Sequence, residues 1–152
     1  MASHNLGSRA NIGRRCGVAW SPCGRRCIDL HGRLATSDPY DPAAVRASMG
    51  SLFSQKLTRC PPREFTSWAK FNGVVVVGSS PAGLLDYKAI RCRWPAALLI
   101  GSEKRGLSEH LAETADFMVR IPMSGTCDSI NVSVAVGVLL FELSNQRKRA
   151  PK

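Results

Sequence analysis

Three glycine-containing loops, at residues 78–80, 101–107 and 122–125, hold the residues of this 152-residue chain that could do chemistry. Each loop follows a short apolar run that is typical of a buried strand. Glycine lets the backbone come close to a ligand, and the loops at the carboxyl ends of parallel strands converge on ligands. None of the three fits the glycine pattern of a P-loop or of a dinucleotide fold. Each loop alone is most simply a turn, but together they predict a shared pocket.

The elements that must position these loops alternate between helices and strands. Helices are predicted over residues 43–49, 63–71, 108–115 and 131–143, and strands over residues 74–77, 96–100 and 117–121. Asp41 before Pro42 is expected to cap the first helix. The last segment is rich in valine, but its length favours a buried helix, capped by Asp128 or Ser129. Alternation of this kind predicts an α/β fold with a mainly parallel sheet and flanking helices.

Residues 8–35 do not follow this order, because they contain six arginines, three cysteines and four glycines and no run of four apolar residues. Only Gly17 and Val18 suit a strand there. Cys23, Cys27 and His31 have a spacing that could align three metal ligands on a helix. They lack a fourth partner and a paired C-x-x-C, so no metal is expected and the cysteines are predicted to be reduced thiols.

The charge is concentrated at the two ends of the chain. The formal net charge is +10 and the sequence pI is about 9.9. Residues 1–37 hold six basic residues and one acid, and residues 143–152 hold four basic residues and no acid. This pattern suits a partner with a phosphate backbone, although a solubilising bias explains it equally well. No apolar run could span a membrane and no secretory signal is visible, so a cytoplasmic protein is expected.

Three ordered motifs stand in the second half of the chain: LLIGSEKRGL at 98–107, IPMSG at 121–125 and SINVSVA at 129–135. In order and spacing they resemble the SpoU (TrmH) family of RNA ribose 2′-O-methyltransferases, within the SPOUT superfamily. The resemblance continues upstream through residues 38–42 and 45–50. It therefore covers about residues 38–143.

The resemblance implies a SPOUT-like α/β fold with a C-terminal trefoil knot, an exception to the rule that chains do not knot. It also implies a homodimer, S-adenosylmethionine held in the knot, and ribosomal or transfer RNA as substrate. Residues 38–143 would form the methyltransferase core. Residues 1–37 would be an atypical basic segment of the same domain, and residues 144–152 a basic tail.

The resemblance also implies which residues hold the cofactor. Gly101 would bring bare backbone close to it, Ile121 would present main-chain groups to the adenine, and Ile130 would line its apolar face. The full expected set is Gly78, Gly101, Ile121, Met123, Ser129 and Ile130.

The implied reaction is an in-line displacement, for which the protein orients two partners and removes one proton. The residues expected to take part are Asn5, Arg15, Glu103, Ser129 and Asn131. The family motif Asn-x-Gly begins at Asn5, but its arginine position falls on Asn11. Arg14 and Arg15 are three and four residues further on, so either could share a helix face with residue 11. Glu103 is either the ion-pair partner of a catalytic arginine or an acid in a turn.

Two functions of different classes therefore remain open. The first is an RNA 2′-O-methyltransferase that uses S-adenosylmethionine. The second, suggested by Asn11 and the irregular segment around it, is a catalytically silent relative that binds RNA or the cofactor. A plain nucleotide-binding α/β domain is a third and weaker interpretation.

Overall fold

The structure is a computed structural model that describes residues 17–21, 26–30, 40–102, 106–124 and 130–149. Its strands are β1 (Gly17–Ser21), β2 (Arg26–Leu30), β3 (Lys56–Cys60), β4 (Val75–Ser79), β5 (Leu85–Asp86), β6 (Ala96–Ile100) and β7 (Phe117–Arg120). Its α-helices are α1 (Pro42–Ala47), α2 (Pro62–Phe71), α3 (Glu109–Ala112) and α4 (Val132–Arg149), and a 3-10 turn covers Ser51–Ser54. The α/β class predicted from the sequence is confirmed.

All seven strands form one sheet, in the order β3-β2-β1-β6-β4-β7-β5. The pairs β2 with β3, β4 with β6, β4 with β7 and β5 with β7 are parallel, whereas β1 is antiparallel to both of its neighbours. Every strand except β1 therefore points the same way. As a result, six carboxyl ends meet at one edge of the sheet.

Helices cover the two faces of this sheet and create two apolar clusters. On one face, Phe65 of α2 and Leu111 of α3 pack with Leu99 of β6. On the other face, Leu139 of α4 packs with Leu98 of β6. All five residues of β6 are buried, which agrees with a central strand that is covered on both sides.

Local hydrogen bonds explain where α1 begins, where α2 ends and where β4 begins. The Asp41 side chain accepts a hydrogen bond from the backbone N–H of Ala43 at 2.8 Å, so the predicted cap of the first helix is confirmed. At the end of α2, Gly73 has a φ of +60° and the N–H of Val74 donates to the Ala69 carbonyl at 2.9 Å. Val74 thus belongs to the turn that ends α2, and β4 begins at Val75 rather than at residue 74.

Several expectations from the sequence were wrong. Residues 17–21 and 26–30 form strands although they lack an apolar pattern, because each pairs with a neighbour over the full length of the strand. The strands β3 and β5 were missed, since β3 is mostly exposed and β5 has two residues. The last helix is capped by Asn131, not by Asp128 or Ser129, and it continues to Arg149 instead of ending at residue 143.

Two expectations fall outside the residues that the structure describes. Residues 125–129, which lead into α4, and residues 103–105 lie outside them, so the trefoil knot stays a prediction. Cys23 and His31 also lie outside them, and of Cys27 only the backbone is described. Within the described part of the chain, no helix combines the length and apolar character needed to cross a bilayer.

Candidate functional site

The three loops singled out in the sequence leave the sheet side by side. Ser79 lies opposite Ile100 in β6 and opposite Val119 in β7. The strands β6, β4 and β7 thus end in one row, and Gly101 and Ile121 follow on the two sides of Ser80. Neighbouring strands are about 4.8 Å apart, so these two residues begin about 10 Å from each other. One small ligand could contact both.

Gly101 lies directly against the backbone of Gly106 and Leu107, where the loop returns. A Cβ atom at Gly101 would lie 2.1 Å from the Gly106 carbonyl carbon and 2.3 Å from the Leu107 nitrogen. No side chain fits there unless the backbone of residues 106 and 107 moves. The predicted need for glycine at this position therefore has a physical cause in the returning loop.

That loop is closed by two backbone hydrogen bonds between the same pair of residues. The N–H of Ser102 donates to the Gly106 carbonyl at 3.0 Å, and the N–H of Gly106 donates to the Ser102 carbonyl at 2.8 Å. Gly106 has a φ of +66°, which favours glycine. Ser102 and Gly106 are therefore held together at the carboxyl end of the central strand β6.

Gly78, expected in the first loop, lies inside β4. A Cβ atom there would lie 2.9 Å from Cε of Met118 and 3.0 Å from Cβ of Ala115. The absent side chain therefore makes room for Met118. Packing therefore explains this glycine without a ligand, just as the backbone of residues 106 and 107 explains Gly101.

The sequence analysis missed Gly83, which holds the segment after β4 against β7. A Cβ atom at Gly83 would lie 2.6 Å from the Val119 carbonyl carbon. The N–H of Ser80 donates to the Val119 carbonyl at 3.0 Å, and the N–H of Tyr87 donates to the Arg120 carbonyl at 3.1 Å. Residues 80–87 therefore cross the end of β7. The signal available in the sequence was the turn-forming run Ser80-Pro81-Ala82-Gly83.

The third loop and the start of α4 supply apolar and polar groups to the same edge. Ile121 and Ile130 are half-buried, and Ile121 packs against the cluster beneath α4. Met123 is 40% exposed. The side-chain oxygen of Asn131 accepts a hydrogen bond from the N–H of Ser133 at 2.8 Å, so Asn131 is the N-cap of α4.

The remaining predicted site residues lie outside the described residues. These are Asn5, Arg15, Glu103 and Ser129, together with Asn11 and Arg14 of the altered motif. The strand register places Gly101 and Ile121 at one edge of the sheet, with Gly78 inside β4. Met123 follows Ile121 in the third loop, and Ile130 and Asn131 directly precede α4. The roles of all the predicted site residues stay predictions.

The comparison with protein families agrees with this arrangement. Residues 23–141 match the model of the SpoU rRNA methylase family. The chain belongs to this family. Its SpoU fold is also found in a solved RNA 2′-O ribose methyltransferase, which is 32% identical with a TM-score of 0.73 over 84% of this chain and 48% of that one.

Two further similar proteins have more specific descriptions. A 23S rRNA (uridine(2479)-2′-O)-methyltransferase of Streptomyces viridochromogenes is 38% identical over 129 residues, which are 79% of this chain and 45% of the relative. A solved AdoMet-bound rRNA methyltransferase from Sinorhizobium meliloti is 36% identical with a TM-score of 0.72, over 82% of this chain and 46% of that one. This SpoU family chain therefore spans about half the length of the relatives it matches.

Proposed function

We propose that this SpoU family chain binds S-adenosylmethionine at the carboxyl-end edge of its sheet and methylates a ribose 2′-hydroxyl of ribosomal or transfer RNA. The observation that carries the proposal is the alignment of the ends of β6, β4 and β7, which brings the loops that begin at Gly101 and Ile121 to one edge of the sheet. The relatives support it, since the one from Streptomyces viridochromogenes is named a 2′-O-methyltransferase and the structure from Sinorhizobium meliloti is described as AdoMet-bound.

The residues at this edge fit a cofactor that has a nucleoside at one end. Gly101 lets the backbone approach the ligand, and the backbone of Ile121 is available to the polar edge of an adenine. The half-buried Ile130 offers an apolar surface, which suits the face of an aromatic base. When bound, S-adenosylmethionine supplies a methyl group on a positively charged sulphur.

The work left to the protein is orientation and the removal of one proton. A methyl transfer in line with its leaving group requires the ribose oxygen to be held opposite the sulphur, and the hydroxyl proton needs an acceptor. We assign stabilisation of the developing ribose oxyanion to Arg15, with Arg14 as the other candidate, and pairing of that arginine to Glu103; the proton leaves to solvent water, because a guanidinium donates hydrogen bonds and does not accept a proton. Asn5, Ser129 and Asn131 are assigned to holding the segments that form the site.

A catalytically silent relative is the second candidate, favoured by one observation in the sequence. Asn11 stands where the family motif has its arginine, and an asparagine amide neither carries a charge nor accepts a proton at neutral pH. Such a protein would keep the cofactor pocket and the RNA surface but would transfer no methyl group.

We also propose that the chain forms a homodimer through the outer side of α4. Val134 is 55% exposed and Phe141 is 70% exposed, and residues seven apart lie on the same side of a helix. A second copy of this helix would cover both. We further propose that the chain acts in the cytoplasm, in keeping with a ribosomal or transfer RNA substrate.

The test is methyl transfer to RNA that carries no modification. Purified protein is incubated with S-adenosylmethionine labelled with tritium in its methyl group and with ribosomal or transfer RNA transcribed in vitro. The RNA is then hydrolysed in alkali, which cannot cleave next to a methylated 2′-oxygen. Label in alkali-resistant dinucleotides is expected.

Calorimetry with S-adenosylmethionine alone separates the two candidates. Cofactor binding together with transfer supports the methyltransferase. Cofactor binding without transfer to either RNA favours the silent relative. Absence of both would refute both interpretations of the pocket.

A further inference from the structure

Four exposed basic side chains lie together at the end of α4 that is remote from the pocket. Arg91 and Arg93 belong to the segment before β6, and Lys148 and Arg149 belong to the last turn of α4; all four are exposed. We call these four residues the basic end surface. The sequence analysis counted Lys148 and Arg149 in the basic tail, but it assigned no role to Arg91 and Arg93.

The side chain of Gln146 fixes the two segments to each other. Its amide nitrogen donates to the Ile90 carbonyl at 3.1 Å, and its amide oxygen accepts from the Cys92 N–H at 3.2 Å. One side chain thus satisfies the backbone on both sides of Arg91. Lys148 and Arg149 follow Gln146 by two and three residues, so the basic residues of both segments lie at the same end of α4, with Arg149 nearest to the side of Gln146.

A second contact strengthens this attachment. The guanidinium carbon of Arg147 lies 5.7 Å from the centre of the Trp94 ring, within the range of a cation–π interaction. Cys92 and Trp94 are half-buried and pack against the cluster beneath α4, whereas Arg91 and Arg93 between them are exposed. The arginines therefore point outward from an anchored segment.

The carboxylates near the basic end surface do not balance its positive charge. Glu142 is half-buried, and its carboxylate oxygen accepts a hydrogen bond from the Gln146 amide at 3.0 Å. Asp116 is a second carboxylate nearby, since its charge acts on Cys92. Two carboxylates therefore stand against four exposed cations. An excess of this kind suits a polyanion, because each neutralised phosphate releases counterions.

The basic end surface is far from the proposed cofactor pocket. Asn131 at the pocket edge and Lys148 are separated by nearly the full length of α4, about 25 Å at 1.5 Å per residue. A single nucleotide at the pocket could not reach both. Only an extended or folded RNA could contact the two sites at once.

We propose that the basic end surface binds the phosphate backbone of the substrate RNA at a site about 25 Å from the methyl transfer. This inference rests on the proposed function for the identity of the polyanion. It assigns Arg91 and Arg93 to substrate binding, with Gln146 and Arg147 as positioning residues. The bound RNA would be recognised here by its charge and not by its bases.

The test measures the salt dependence of RNA binding without cofactor. Fluorescein-labelled single-stranded polyuridylate is titrated with the full chain at several salt concentrations. Each phosphate contact contributes about 0.7 to the slope of log K against log salt, so Arg91→Gln with Arg93→Gln should reduce the slope by about 1.4. The charge-preserving pair Arg91→Lys with Arg93→Lys should keep most of it.

The matched control removes the same charge from the other face of the sheet. Arg63→Gln with Lys70→Gln changes two exposed residues of α2 and should leave the slope unchanged. An equal loss in both glutamine pairs would show a general effect of net charge and would overturn the proposal. So would a slope that is unaltered in the Arg91 and Arg93 pair, or failure of the wild type to bind polyuridylate at low salt.

Two further measurements separate this inference from the proposed function. Calorimetry with S-adenosylmethionine should give the same affinity for wild type and for the Arg91 and Arg93 glutamine pair. If the wild type transfers no methyl group but the Arg91 and Arg93 glutamine pair loses RNA affinity, RNA binding by this surface is supported and the proposed methyl transfer is refuted. Displacement of RNA by polyglutamate at equal charge concentration would instead indicate an acidic protein partner, against the proposal.

Discussion

The side-chain oxygen of Asn131 accepts a hydrogen bond from the backbone N–H of Ser133 at 2.8 Å. This pair fixes the first turn of α4 at the edge of the sheet where Gly101 and Ile121 emerge. The backbone carbonyl of Asn131 also accepts the first hydrogen bond of the helix, from the N–H of Ala135 at 3.0 Å. Asn131, which the family resemblance assigns to the site, is therefore also the N-cap of α4.

Asn131→Ala should lower the stability of the protein. Loss of an N-cap oxygen costs about 1 kcal/mol, which corresponds to a decrease in Tm of about 2–4 °C for a chain of this size. Asn131→Asp keeps the oxygen and adds a negative charge that is favourable at a helix N-terminus, so it should retain the wild-type Tm. Thermal unfolding followed by circular dichroism gives both values.

The same two variants separate capping from chemistry. If Asn131 serves only as a cap, the Asp variant should keep the wild-type affinity for S-adenosylmethionine and the wild-type rate of methyl transfer. A stable Asp variant without transfer would show that the amide itself is required. An Ala variant as stable as the wild type would contradict the capping argument.

Gly101→Ala should weaken cofactor binding more than it weakens the fold. The added methyl would occupy the space of the Gly106 carbonyl carbon, so the loop at residues 102–106 must move. We expect a loss of at least about tenfold in affinity for S-adenosylmethionine, because backbone placement of about 1 Å governs such sites. Isothermal titration calorimetry measures the loss.

Gly73→Ala is the control for this prediction, since it strains the backbone elsewhere without a steric clash. Gly73 has a φ of +60° with open space around its missing Cβ, and a side chain in that conformation costs about 1–2 kcal/mol. It lies before β4, at the opposite edge of the sheet from the loops. Equal losses of cofactor affinity in the two variants would show that lower stability alone explains the effect of Gly101→Ala.

The central part of the fold was predictable because there the sequence pattern and the packing agree. Ala96–Ile100 is apolar throughout and is buried throughout, so composition alone identified the central strand. The cap at Asp41 was likewise visible from the proline that follows it. Strand β3, in contrast, carries Lys56 and Arg59 at exposed positions, and its pairing with β2 is not visible in its own sequence.

The candidate site was predictable as a set of loops but not in its contacts. The glycine at position 101 was correctly placed at the end of a strand. Gly78, in contrast, lies inside β4, because the strand continues beyond the valine run to Ser79. Gly83 was missed because its importance depends on the backbone of Val119, which lies 36 residues away in the chain. The turn-forming run at residues 80–83 indicates a turn, but it gives no sign of this long-range backbone contact.

Gln146→Leu should destabilise the protein by leaving two backbone groups without their partner. The Ile90 carbonyl and the Cys92 N–H both bond to this side chain, and an unsatisfied buried polar group costs about 1–3 kcal/mol. Urea unfolding measures the change. Asn145→Leu, which alters the neighbouring amide 100° around the helix, should cost much less, and equal costs would contradict the role of Gln146.

Phe141→Glu should convert the proposed dimer into a monomer without unfolding it. The ring is 70% exposed in the single chain, so a charge there costs little until a second copy must cover it. Sedimentation velocity gives the mass. Phe71→Glu, at a side chain that is 91% exposed on α2, is the matched control and should leave the dimer intact. A wild type that sediments as a monomer would refute this interface.

The thiol of Cys92 should react slowly in the folded protein. Burial, and then the negative charge of Asp116, raise its pKa from 9.0 to about 11, and only the thiolate is nucleophilic. Native alkylation by iodoacetamide, followed by mass spectrometry, should therefore still increase with pH between 9 and 11. In urea the rate should be half-maximal near pH 9, the ordinary pKa of the thiol, and should level off above it.

This raised pKa also has a consequence for stability. Between pH 9 and 11 the unfolded chain has released the Cys92 proton and the folded chain has kept it, so stability should fall as the pH rises through this range. Cys92→Ser should remove this part of the pH dependence. Asp116→Asn should lower the native pKa while keeping an oxygen that can accept from the Val76 N–H, now bonded at 2.7 Å. Asp86→Asn is the control and should leave the alkylation profile unchanged; a profile with its midpoint near pH 9 in the folded wild type would contradict the burial of this thiol.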